Sequence, residues 1–181
     1  MSNGQPSGAQ TSTTTEDGAY NVNGATSGNA VAKNVTNPNK FPRAPTYWIP
    51  LENEWYKAAY YSPNYLGFGT GGYWTYATRS NNAPGTTIGS SANQANYNNA
   101  IGHATDVGAF SGSGSFYGTF DQSGNVFQWN DQNGTAGFRG VRGGHWFNGL
   151  ASNFPSSSAL YYSMSPSFDN NDIGFRLASP V

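Results

Sequence analysis

Residues 62–116 read as one long loop region, and a compact domain rarely holds so much irregular chain. Within the region, Gly67-Phe68-Gly69-Thr70-Gly71-Gly72-Tyr73-Trp74 has the glycine content of a phosphate-binding loop. It lacks the Gly-Lys-Ser/Thr ending and the preceding apolar strand, so that chemistry is rejected. Asn93 to Asn99 is Asn-rich and irregular. Just before the loop region, Leu51 to Tyr60 is the best helix candidate. Pro50 precedes it, Glu52 and Glu54 open it, and Lys57 lies further on, in keeping with the helix dipole. Leu51, Trp55, Ala58 and Ala59 share one face, which makes Trp55 a core anchor rather than a ligand platform.

Residues 1–19 read as a polar arm, rich in Gly, Ser and Thr. Gly18 to Gly24 alternates like a short strand ending in an Asn-Gly turn, and 25–45 is turn-rich, closing with Pro42 and Pro45. Gly140 to Gly144 and Ile173 to Ala178 read as two strands near the end of the fold. At 181 residues, with no internal repeat, residues 20–181 form a single domain.

Only 9% of residues are charged, against about 25% in an ordinary soluble domain. Solubility then has to come from Asn, Ser, Thr and Gly, on a surface without like-charge repulsion between neighbours. A net charge of −1 gives no electrostatic case for nucleic acid or an anionic membrane. The absence of cysteine removes disulfides, thiolate metal sites and a Cys nucleophile. No apolar run is long enough for a transmembrane helix, and Met1 to Glu16 lacks the pattern of a signal peptide. Composition points either to an extracellular or virion-surface β-rich protein or to a subunit that packs against copies of itself.

Four blocks, in order, carry a resemblance: Ile49 to Ala59, Tyr117 to Trp129, Arg142 to Trp146, and Ile173 to Ala178. Together they resemble the formylglycine-generating enzyme (sulfatase-modifying factor) family, over about residues 14–178. The resemblance implies an α+β fold of C-type-lectin-like kind. A small twisted antiparallel sheet, few short helices and a high loop content go with it. Tyr117 to Trp129 would be the family's turn leading into a short helical or extended segment. Family members carry further chain, with the first strands of the fold, before the point where this match begins. An N-terminally shortened copy is therefore expected to leave the edge near Ile173 to Ala178 without its partner strand. Such an edge recruits other chains, unless the polar arm supplies the strand.

The resemblance also sets what chemistry would need. Catalytic members hold copper with a pair of cysteines, and a soft metal wants thiolates; this chain has none. A relative that forms sulfur–carbon bonds holds iron with three histidines, whereas here there are His103 and His145 alone, far apart in sequence. Both read as structural or surface histidines. Gly112-Ser113-Gly114 is no nucleophile elbow. Glu52 and Glu54 face different ways on a helix, and Asp169 and Asp172 read as turn residues, so no carboxylate pair stands out. Family members often bind calcium around the block that ends here in Asn125, Val126, Phe127, Gln128 and Trp129. With Gln128 in place of the acid, Asn125 and Gln128 are weak calcium candidates, better suited to tying down backbone. No other cofactor is required.

The segment from His145 to Asn171 holds Trp146, Phe147, Asn148, Ser152, Asn153, Phe154, Tyr161, Tyr162, Met164 and Phe168. Aromatics interleaved with Ser, Asn and Gly make adaptable contact surfaces at low entropic cost, and equally they make satellite core under a long loop. In the family this stretch faces ligand, and in retroelement-diversified variable proteins of the same fold it is the mutated stretch. The arginines that follow the equivalent of Leu150 in the enzymes are missing, which removes anchors for a peptide substrate. The chain thus reads as a non-catalytic binding module for a protein or glycan, using residues 145–171. The alternative is a structural subunit of a self-assembling extracellular filament or virion, with copies of itself as partners. A residual sulfatase-modifying oxidase comes last.

Overall fold

The computed structural model describes residues 19–20, 46–133, 138–147, 156, 162–165 and 167–179. Their order is helix α1 (Glu52–Tyr60), strands β1 (Tyr61–Ser62) and β2 (Gly72–Tyr73), then β3 (Phe127–Asn133), β4 (Arg139–Arg142), β5 (Tyr162–Met164) and β6 (Ile173–Gly174). A short 3-10 turn, Tyr65–Gly67, sits between β1 and β2. The expected arm lies outside the described residues except for Ala19, which is buried. So does most of the strand expected at Gly18 to Gly24. Next to Ala19, the Tyr20 hydroxyl bonds both the N–H and the carbonyl of Ile49 at 3.0 Å.

The helix starts where its acids predict. Leu51 has no side-chain acceptor, so the capping is done by neighbours. Glu54 Oε2 accepts the Leu51 N–H at 2.9 Å, and Asp131 Oδ1, from β3, accepts the Glu52 N–H at 2.7 Å. Trp55 is fully buried and packs with Ala59, Tyr60 and Ala77. Its ring meets Tyr60 edge-on, with centroids 5.9 Å apart.

The main sheet runs β5-β4-β3-β6. Pairings β3–β4 and β4–β5 are antiparallel, but β6 lies parallel to β3, with Phe127 opposite Ile173 and Gln128 opposite Gly174. The sheet is therefore mixed rather than wholly antiparallel, because the chain returns to β3 through a long connection instead of a hairpin. Tyr117 to Trp129 resolves as turns that lead into a strand, the extended alternative. The expected open edge is closed only in part: β6 ends the sheet among the described residues, while the chain after it finds a partner. Ala178 pairs with Trp48, exchanging backbone hydrogen bonds of 2.8 and 3.0 Å, so the residues just before α1 supply a partner.

The long loop region holds one more sheet, the β1–β2 pair, with Tyr61 opposite Tyr73. Beyond it, loops pack on loops through polar groups. Thr78, Asn96, Ser113, Ser115, Gln122, Ser123, Asn125, Gln128 and Asn130 are all buried, beside an apolar core of Trp48, Trp55, Phe110, Phe127 and Val141. Many of the small polar residues that composition assigns to the surface are thus interior, and stability depends on their hydrogen bonds being made. Gly124 marks one of the tight points. Its φ is +81°, and an added Cβ would run into the backbone carbonyl of Asn96. Gly124→Ala is expected to cost at least 2 kcal/mol on an order-of-magnitude basis. A thermal unfolding midpoint unchanged from wild type would contradict this packing.

Candidate functional site

Two polar clusters converge on the start of β3. In the first, Gln128 is the hub. Its Oε1 accepts from Trp55 Nε1 at 2.7 Å and from Arg176 Nε at 2.6 Å, while its Nε2 donates to the Asp121 carbonyl at 2.6 Å. Arg176 also donates through Nη2 to the Phe120 carbonyl at 2.8 Å. Burial pulls the Arg176 guanidinium down from its ordinary value, and the Asp121 carboxylate partly restores it. Burial likewise raises Asp121, against the Gly108 N–H and Arg176, which hold it down. One amide side chain thus joins α1, the turn before β3 and the segment after β6.

Asn125, the other weak calcium candidate, sits at φ +66°. Its Oδ1 accepts from the Thr105 N–H at 2.8 Å and from Asn96 Nδ2 at 3.2 Å, and its Nδ2 donates to the Thr105 carbonyl at 3.2 Å. Both candidate oxygens are therefore already engaged by N–H donors. Among the described residues, no group of three or more His, Cys, Asp or Glu is placed to hold a metal ion.

The second cluster is the root of the aromatic segment. Trp146 donates its N–H to the Asn125 carbonyl and accepts from the Asn99 N–H, both at 2.8 Å. Its ring meets Phe147 edge-on at 5.6 Å, and Phe147 is 60% exposed. The Trp146 indole N–H is buried without a hydrogen-bond acceptor, as is Asp172 Oδ1 without a donor. Met164 is half-buried and Phe168 exposed. Asn148, Ser152, Asn153, Phe154 and Tyr161, and the side chain of Tyr162, lie outside the described residues. Trp146 and Phe147 stand together; the fold places Met164 on β5 and Phe168 ahead of β6. The Ser156 N–H donates to the Thr75 carbonyl at 2.7 Å, which ties the segment to the residues after β2.

The sequence reading found neither Arg176 as a hub partner nor the approach of His145 to Asp172. These two lie 3.2 Å apart, Nδ1 to Oδ2, in an electrostatic contact rather than an aligned hydrogen bond. The remaining acids fall apart as expected: Glu52 bonds Arg142, and Glu54 bonds Trp48 Nε1 at 3.0 Å. A small cleft beside Asp121, lined also by Thr78, Gln94 and Ser113, has room for about one water.

The family model of the sulfatase-modifying factor enzyme 1-like domain matches residues 12–181. The chain belongs to that family. Its mixed small sheets, few helices and long loops are the C-type-lectin-like fold of sulfatase-modifying-factor-like proteins. The crystal structure of CarF is similar, with a TM-score of 0.55 and 27% identity over 78% of this chain and 50% of that one. Treponema denticola variable protein 1 gives a TM-score of 0.49 and 25% identity, over 74% of this chain and 47% of that one. The chain thus spans about half the length of each. No curated protein matches it. The sequence of this sulfatase-modifying-factor-like domain contains no cysteine.

Proposed function

We propose that this chain is a non-catalytic C-type-lectin-like binding module that holds a protein or glycan through the segment 145–171, of the kind retroelement-diversified variable proteins use. The observation that carries the reading is the presentation of Trp146 and Phe147. Two backbone hydrogen bonds pin Trp146 to loops that are themselves pinned, while Phe147 projects to solvent. A rigid aromatic anchor beside small polar residues is the chemistry of a recognition surface. The cysteine-free sequence removes the thiolate pair that oxidase chemistry in this family would use. The composition is that of a protein displayed outside the cell or on a virion.

The test is a screen against glycan arrays and surface proteins, repeated with Phe147→Ala and Phe168→Ala. Binding lost in the variants supports the reading. A ligand whose affinity is indifferent to both substitutions would remove it.

One observation favours a second reading, a subunit that assembles with copies of itself. After β6, Arg176 points inward while Phe175 and Leu177 are 67% and 58% exposed. An apolar pair on an almost uncharged surface meets no like-charge barrier from a second copy. Light scattering with negative-stain microscopy separates the readings: filaments or large closed particles favour assembly, a monomer the module.

Calcium is expected to leave the domain unchanged. The Asn125 and Gln128 oxygens would have to give up N–H donors to coordinate it. A millimolar-scale calcium addition should therefore leave the melting midpoint where it was; a clear rise, abolished by Gln128→Met, would make this block a calcium site.

A further inference from the structure

Residues 145 and 172 bracket the aromatic segment, and in the fold they meet. His145 Nδ1 lies 3.2 Å from Asp172 Oδ2, and each side chain is 14% exposed. The His145 ring lies tilted over Phe127, with centroids 4.8 Å apart. The Phe127 N–H in turn donates to the Asp172 carbonyl at 2.8 Å. Both ends of the segment are thus gathered onto the first residue of β3. Trp146, one residue on, takes its backbone partners from Asn125 and Asn99.

We propose that His145 and Asp172 are positioning residues, a clasp that holds both ends of the segment on Phe127 and so sets the orientation in which Trp146 and Phe147 meet a ligand. Its use for binding rests on the binding-module reading; its existence does not. The geometry suits a clasp because each member contributes twice. His145 offers a ring face to Phe127 and Nδ1 to Asp172; Asp172 offers a carboxylate to His145 and a backbone carbonyl to Phe127.

The clasp is pH-sensitive in a definite direction. Asp172 is a charged group acting on the imidazole, and β3 presents the uncharged ring of Phe127. Burial lowers the imidazole below its ordinary value more than Asp172 raises it. A group so lowered binds its proton more readily in the loosened arrangement. The clasp is therefore intact above the ordinary histidine value and weakens as pH falls through it.

The experiment is amide exchange by NMR on the full chain, from about pH 7.5 to about pH 5.5, either side of the ordinary histidine value near 6.5. After correction for intrinsic rates, protection at the Phe127 and Trp146 amides should fall on acidification. The Trp55 amide, bonded to the Leu51 carbonyl within α1, should hold. His145→Phe keeps a ring against Phe127 but neither titrates nor reaches Asp172. It should abolish the pH dependence and lower Trp146 protection at the higher pH by roughly three- to tenfold. Asp172→Asn, a milder change, should instead steepen the pH dependence, since the imidazole loses its supporting charge. A flat profile in the wild type, or an unaltered one in His145→Phe, overturns the clasp. Such a result beside ligand binding that still depends on Phe147 sinks the clasp alone, whereas an intact profile with binding indifferent to Phe147 sinks the binding reading alone.

Discussion

Gln128→Leu is expected to lower the stability of this domain by about 3–5 kcal/mol, the scale for stripping the partner from a buried charged group. Leu has nearly the volume of Gln, so packing is little disturbed and the effect isolates polar satisfaction. Two donors lose their acceptor at once: the indole N–H of fully buried Trp55 and the guanidinium of Arg176. The Asp121 carbonyl also loses its donor. Arg176 keeps Phe120 as a partner but no longer bridges to β3. Gln128→Glu is the informative companion. A carboxylate still accepts from Trp55 and Arg176, and more strongly, but its second oxygen would face the Asp121 carbonyl. It should fall between wild type and Gln128→Leu. Urea denaturation of the three proteins decides the matter. A Gln128→Leu midpoint within error of wild type would mean that the hub carries no net stability.

Much of the frame was legible in the sequence, and the reason is local chemistry. Pro50, the two early glutamates and the Trp55 face specify α1 within a few residues. The extended nature of β4 follows from the Gly140 to Gly144 block, and the C-type-lectin-like fold from the four blocks together. What escaped is everything carried by pairs far apart in the chain. Strands of two residues, such as β1 and β2, have no periodicity to read. The parallel contact of Phe127 with Ile173 and the closure of Trp48 on Ala178 depend on how a long connection returns. His145 and Asp172 each read as bland on their own, a surface histidine and a turn acid; only the fold makes them a pair. The buried polar residues are the clearest lesson. Asn and Ser in a weakly charged chain look like solvent-facing residues, yet Asn96, Ser123 and Asn130 are interior because loops packed on loops need donors and acceptors for their own backbones.

The same reasoning gives a large expected effect at the first residue of the helix. Arg142 donates through Nε to Glu52 Oε1 at 2.6 Å, and its second nitrogen also contacts that oxygen. Asn130 Nδ2 donates to Glu52 Oε2 at 2.5 Å. The side chains are only 10% and 18% exposed, for Arg142 and Glu52 respectively, so this is no ordinary surface pair. Glu52→Leu should cost about 3 kcal/mol, because the largely buried guanidinium and the buried Asn130 amide both lose the carboxylate that accepts from them. Arg142→Leu should cost somewhat less, since Glu52 keeps Asn130. The double variant should be more stable than the sum of the two losses predicts, by roughly 1–3 kcal/mol, because no charge is then left stranded. Strict additivity would mean that the pair is uncoupled. The expected loss also has a spatial consequence. Arg142 is followed directly by Gly143, Gly144, His145 and Trp146, so releasing it from α1 frees the strand that feeds the aromatic segment. Exchange at the Trp146 amide should therefore quicken in Arg142→Leu more than at Phe127, which β6 and Asp172 hold independently.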